Sequence, residues 1–266
     1  MENKGILGRI ARQIRREQQA RFRDFRPATF ALQNRPAPRN GEEVFRRGFV
    51  ILAEIKRGSP SRGWICRDLD PCRLARRYAA GGAGIISVVT EPHFFHGDPR
   101  FLSRIRKEVP LPLLRKDFIL HPRQVYESYN LGADLVLLIM SLLTDGEMLE
   151  LLNACRSLGL GSLVEVHSRS ELERLSRLPA EVRLVGINNR DLSTFEVDIR
   201  HSLRLKPHFD RLMGGKGSGV RLISESGISG ADQIRLLRER QFDGALVGEA
   251  LVRSPRVEEV LIRWSK

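Results

Sequence analysis

Glu54 and Lys56 stand two residues apart in the apolar run FVILAEIK, a spacing that puts both side chains on one face of a strand. A carboxylate beside an ammonium group can be a settled ion pair or a proton-transfer couple, and one pair alone does not choose between them. Other apolar runs end in similar chemistry. Thr90 and Glu91 follow GIISVV, Lys116 and Phe118 close LPLLRKDF, Glu165 closes GSLVEV, Asn188 and Arg190 follow RLVGIN, and Glu225 and Ser226 close VRLISES. The chain has 7 lysines against 38 arginines, yet two of the seven fall at such ends. Arginine stays protonated near neutral pH whereas a desolvated lysine can lose its proton, so Lys56 and Lys116 are the candidate acids.

These residues share a rim only if the runs that carry them lie side by side. From about residue 48, strand-length apolar runs alternate with amphipathic segments, and eight of each can be counted, the strands beginning at Phe49, Gly84, Leu111, Asp134, Gly161, Arg183, Val220 and Phe242. Near-continuous apolar strands are what a sheet covered on both faces requires. The pattern predicts an α/β fold, a single-domain (β/α)8 TIM barrel with an N-terminal helical extension. Residues 1–47 form the extension covering the barrel and residues 48–266 the catalytic barrel. Ile6, Leu7, Ile10 and Ile14 space one apolar stripe along a basic helix, and FRPATFALQNRPAPRNG reads as an extended connector. Thr144, Ser168, Ser229 and Ser254 are expected at helix starts, Gly132 and Gly159 at helix ends.

In barrels of this kind the active site lies where the strands end, which collects the carboxylates of Glu54, Glu91, Glu165 and Glu225 and two lysines on one rim. The seventh and eighth strand loops, SESGIS and VGEAL, are where such barrels hold phosphate. Gly227 and Gly248 let backbone approach closely there, with Ser226 and the amide of Glu249 as donors. GGKGSG, residues 214–219, precedes its strand and reads as a connector at the opposite face. His93, His96, His121 and His167 match no metal spacing and are expected to be exposed loop residues.

Composition excludes other classes. No apolar run approaches the roughly 18 residues of a membrane span, so no membrane partner is expected. Three cysteines, Cys66, Cys72 and Cys155, without CxxC spacing suit a reducing compartment, and the cytoplasm is the expected location. The net charge is +13, and residues 1–50 carry 12 basic against 5 acidic residues. Such a surplus can bind nucleic acid or attract a small polyanion. The absence of any RRM, KH or zinc pattern favours no nucleic-acid partner.

On these motifs the chain resembles the indole-3-glycerol-phosphate synthase family across essentially its whole length. AEIKRGSPSRG (53–63), SVVTEPHFFHGD, LLRKDFIL, LVEVHS, GINNRDL, LISESGI and LVGEAL follow in the family's order. The resemblance implies a lyase of tryptophan biosynthesis acting on 1-(2-carboxyphenylamino)-1-deoxyribulose 5-phosphate, with no cofactor and no metal. It also implies catalytic roles for Glu54, Lys56, Lys116, Glu165, Asn188 and Ser226. Ser59, Phe95, Phe118, Arg190 and Glu225 would bind substrate, and Gly227, Gly248 and Glu249 would hold its phosphate. A monomer or weak homo-oligomer is expected, with no fused isomerase. Two departures stand out: Gly58, where the family usually has alanine or serine, is expected to loosen the first βα loop, and GGKGSG lengthens the loop before the seventh strand. Another phosphosugar barrel, such as phosphoribosylanthranilate isomerase, is the nearest rival, but it would want a cysteine at the end of the first strand.

Overall fold

The computed structural model describes residues 6–191, 194, 196–214 and 219–265. Eight parallel strands close into a barrel: β1 (Val50–Ile55), β2 (Ile85–Val89), β3 (Leu113–Lys116), β4 (Leu135–Ile139), β5 (Gly161–Val166), β6 (Leu184–Asn188), β7 (Arg221–Glu225) and β8 (Gly244–Val247). Each pairs with its sequence neighbours, and β1 pairs with both β2 and β8, so no edge is left open. The outer layer is α2 (Pro71–Ala80), α3 (Arg100–Arg106), α4 (Pro122–Leu131), α5 (Asp145–Ser157), α6 (Arg169–Arg177), α7 (Arg200–Leu212) and α8 (Ala231–Glu239). After β8 come the short α9 (Glu249–Val252) and then α10 (Val257–Ser265). None of the described helices is long and apolar enough to cross a membrane.

The strands are shorter than their apolar runs because the flanking residues have other work. Asp134, read as a strand start, is buried and accepts from the backbone of Leu113 and Arg39, and Asp243 likewise accepts from Leu222 N. Thr144 and Ser168 cap α5 and α6 as expected, and Gly132 ends α4 at φ 92°. The cap of α8 is Gly230, one residue after Ser229, whose amide donates to Gln233 instead. Asp70 caps α2 and His121 completes a capping box on α4, each followed by proline at N1, the helical position that proline favours.

The N-terminal segment straddles the barrel. Its helix α1 (Ile6–Phe22) lies at the mouth, where Ile10, Ala11 and Ile14 are buried and Arg15 bonds Glu147 at 2.6 Å and Leu142 O at 2.8 Å. The side chains of Ile6 and Leu7, also read as part of that stripe, lie outside the described set. The connector then descends along α4 to the opposite face. Arg35 donates to the carbonyls of Tyr129 and Ala133, and Arg39 to those of Val109 and Leu111. Buried Phe45 ends the segment against β8 at Gly244. Residues 215–218 of the GGKGSG stretch lie outside the described residues.

Asp134 is the knot of the lower face, because Arg35 and Arg106 both pair with its fully buried carboxylate. Removing one partner of such a cluster strands the others, at about 3–5 kcal/mol. Asp134→Ala should therefore lower unfolding stability by about that amount in urea titration, while kcat of the protein that remains folded stays near wild type.

Candidate active site

Register places the rim. Ile139 lies beside Glu165 and Asn188 beside Glu225 across adjacent strands, so the polar strand ends meet at the same height. They surround a cavity of about 130 Å³ that opens to solvent, lined by Glu54, Lys56, Ser59, Phe95, Lys116, Phe118, Glu165, Asn188, Arg190 and Ser226 among the residues expected from sequence. One wall is apolar: Ile10 of α1, Val89, Leu137 and Ile139 join Phe95 and Phe118, whose ring centroids are 6.0 Å apart.

The two lysines are separately paired. Lys56 Nζ lies 3.0 Å from Glu54 Oε1, and Lys116 Nζ donates to Glu165 Oε2 at 3.1 Å and lies 3.6 Å from Glu225 Oε2. Burial alone would strip the proton from Lys116, as expected of a desolvated lysine, but the charges of Glu165, Glu225 and Glu54 outweigh it and raise its pKa above the ordinary value. Lys116 therefore waits protonated. Burial would also neutralise Glu165, and here Lys116 and His167 prevail, lowering its pKa. The second oxygen of Glu165 accepts from Asn188 Nδ2 at 3.1 Å.

Four expected residues do not line the cavity. Glu225, assigned to substrate, is 1 % exposed and sits below Lys116 with its carboxylate filling the space beside Gly186. Burial, followed by the charge of Glu165, pushes its pKa up to about 8. Gly227, Gly248 and Glu249 form the loops flanking the cavity at the ends of β7 and β8. A Cβ on Gly248 would lie 2.4 Å from Glu54 Oε1 and 2.9 Å from Lys56 Nζ, so this glycine makes room for the ion pair as well as exposing backbone. Ser226 adopts φ 67°, a left-handed turn held by Asn189, whose Nδ2 donates to Ser226 O and Ser224 Oγ.

Several sequence readings need correction. Gly58 does not loosen its loop: it pairs with Trp64 in a short antiparallel ribbon, and a Cβ there would strike Gly63 O at 2.6 Å and His96 at 2.7 Å. His96 stacks on Trp64 at 3.9 Å, joining the first and second βα loops. The histidines are not plain exposed loop residues either, since His121 caps α4 and His167 is buried against Glu165. Glu91, expected on the rim, serves there as a support: it accepts from the amides of His93, Phe94 and Phe95. Asn189 and Asp117 were not among the expected residues, and Asp117 ties Thr90 to Arg115. The signal for these two was position alone, one residue from a rim group.

A closed parallel barrel with an acid–base rim and glycine turns after β7 and β8 defines the class of (β/α)8-barrel enzymes that handle small phosphorylated substrates. The fold is shared with 3-hexulose-6-phosphate synthase structures, one matching at TM-score 0.60 with 14% identity over 82% of this chain and 99% of that one. The family model described as indole-3-glycerol phosphate synthase matches residues 6–263. Relatives of that name are 45% identical in Lachnoclostridium phytofermentans, over 84% of this chain and 79% of the relative, and 48% identical in Carboxydothermus hydrogenoformans, over 77% and 75%. The chain belongs to the indole-3-glycerol phosphate synthase family and has that family's carboxy-lyase activity.

Gly248→Ala should displace the Glu54–Lys56 pair. A misplacement near 1 Å costs on the order of 100-fold in rate, so steady-state assays should find kcat/KM reduced by about that factor with the fold retained by circular dichroism.

Proposed function

We propose that the chain converts 1-(2-carboxyphenylamino)-1-deoxyribulose 5-phosphate to indole-3-glycerol phosphate, with Lys116 as the general acid of ring closure. The observation that carries this reading is a protonated lysine between a carboxylate, Glu165, and an apolar wall, Phe95 and Phe118. The carboxyphenyl ring rests on that wall, and its carboxylate-bearing carbon attacks the ketone carbon. As that bond forms, Lys116 delivers its proton to the ketone oxygen, where negative charge would otherwise develop. Loss of carbon dioxide restores the aromatic ring, and the apolar surroundings favour expulsion of the carboxylate.

Dehydration follows. Glu165 takes the proton that leaves the new five-membered ring, and Lys56 protonates the departing hydroxyl with Glu54 holding it. Lys56 lies against Gly248 and so faces the end where the amides of Gly227, Gly248 and Glu249 hold phosphate. Asn188 and Arg190 orient the hydroxyl and carboxylate, Ser59 and Ser226 support the bound sugar, and Glu225 acts from below through Lys116.

Residues 1–47 serve as a cover for the catalytic barrel of residues 48–266, a role supported by Ile10 in the cavity wall. The enzyme works in the cytoplasm as a monomer or weak homo-oligomer, without nucleic acid. The commitment of Arg15, Arg35 and Arg39 to bonds within the chain supports that last point.

A fluorescence assay for indole-3-glycerol phosphate tests the assignment. Lys116→Ala, folded, should lose about 10²–10⁴-fold in kcat, the range for a general acid. Turnover within a few fold of wild type would move that role to Lys56.

A further inference from the structure

His167 is buried directly behind Glu165, outside the cavity, with its side chain 10% exposed. The two residues are separated by one, so both side chains leave the end of β5 on the same face. His167 Nε2 lies 3.2 Å from Glu165 Oε1, and its Nδ1 lies 3.6 Å from Glu171 Oε2 on α6. Neither ring nitrogen makes a hydrogen bond of good angle, so the contacts are charge against charge. The backbone is pinned at both ends: His167 N donates to Glu171 Oε2 at 2.8 Å, and His201 Nε2 of α7 donates to His167 O at 2.8 Å. An imidazole fixed this firmly between two carboxylates has no role in the chemistry described so far.

We propose that His167 is a positioning residue for Glu165, an imidazolium that keeps this carboxylate ionised and aimed after Lys116 has given up its proton. The need follows from the order of steps. Glu165 depends on Lys116 for its counter-charge, and Lys116 is discharged in ring closure, before Glu165 acts as base. At that moment Glu165 is a buried carboxylate without its lysine, and burial favours its protonation. His167 is the cation that stays. Lys116 acts on Oε2 and His167 on Oε1, together with the neutral amide of Asn188, so the carboxylate keeps its orientation when one of the two cations is lost. Burial opposes the charged ring, but Glu165 and Glu171 prevail and raise the pKa of His167 to about 9, which leaves it cationic at neutral pH. The other charged groups facing this pair are Lys116 on β3 and Glu225 on β7, with His201 of α7 touching only the carbonyl.

The inference rests on Glu165 being the base, so the experiment separates the two claims. Rate profiles against pH would be recorded for the wild type, His167→Gln and Glu165→Gln. Glutamine keeps a polar side chain beside Glu165 and removes the charge. Losing that cation raises the pKa of Glu165, and a base must be ionised, so the acidic limb of kcat should move upward. A shift of about one pH unit is expected, making His167→Gln about tenfold slower than wild type below both limbs, with KM little changed. An unshifted limb in His167→Gln beside an inactive Glu165→Gln overturns the role of His167 alone. An active Glu165→Gln overturns the base assignment and the inference with it. Should His167→Gln fail to fold, ring ¹⁵N spectra of the wild type decide. A histidine imidazolium that persists at about pH 8 and is lost in Glu165→Gln is the expected result, and its absence from the wild type overturns the proposal.

Discussion

The mouth of this barrel is organised by the cost of burying charge. Lys116 is a largely buried ammonium group at the floor of an open cavity, stabilised by Glu165 and Glu225 at 3.1 and 3.6 Å. Three strands must end at the same height to supply that arrangement, which fixes the register of β3, β5 and β7. Those carboxylates repel one another in turn, so one of them, Glu225, is pushed toward the neutral acid while Glu165 stays ionised. The two carboxyl groups are thus shifted in opposite directions, Glu225 toward the acid and Glu165 toward the carboxylate. Proton-transfer chemistry uses such a difference, because one group can accept while the other remains occupied.

Reading outward from that cluster, each layer restrains the next. Asn188 fixes one oxygen of Glu165, and its neighbour Asn189 reaches in the other direction to hold Ser226 in its left-handed turn. Glu91 gathers three successive amides and so shapes the loop that carries Phe95. The ribbon at Gly58 and the Trp64–His96 stack link that loop to the one carrying Ser59. Side chains at the cavity are thus held in place by buried polar neighbours, some of which, Glu91 and Asn188, line the cavity themselves.

Much of this was legible in the sequence because it follows from periodicity. Eight apolar runs set the strands, and the rule that barrel enzymes work at strand ends brought out Glu54, Lys56, Lys116, Glu165 and Asn188 before any geometry was known. What stayed hidden depends on distance across the chain. Asp134 looks like the first residue of a strand until Arg35 and Arg106 are seen on it, and Gly58 looks permissive until His96 fills the space a side chain would take. The arginines of the N-terminal segment were similarly ambiguous. Counted as charge they suggest attraction of an anion, whereas Arg35 and Arg39 spend their donors on backbone carbonyls of the barrel.

That segment touches both faces of the barrel, and this has a bearing on how the molecule is made. Protein chains emerge from the ribosome N-terminus first, and early segments often fold as they appear. Here the first residues synthesised have nothing to dock on: Arg15 needs Glu147 of α5, Arg35 needs the carbonyls of Tyr129 and Ala133, and Phe45 needs β8, completed only near residue 247. The segment's docking contacts are thus all distant in sequence, 132 residues for Arg15 with Glu147 and 94 for Arg35 with Tyr129, so it can seat only on parts of the barrel made well after it.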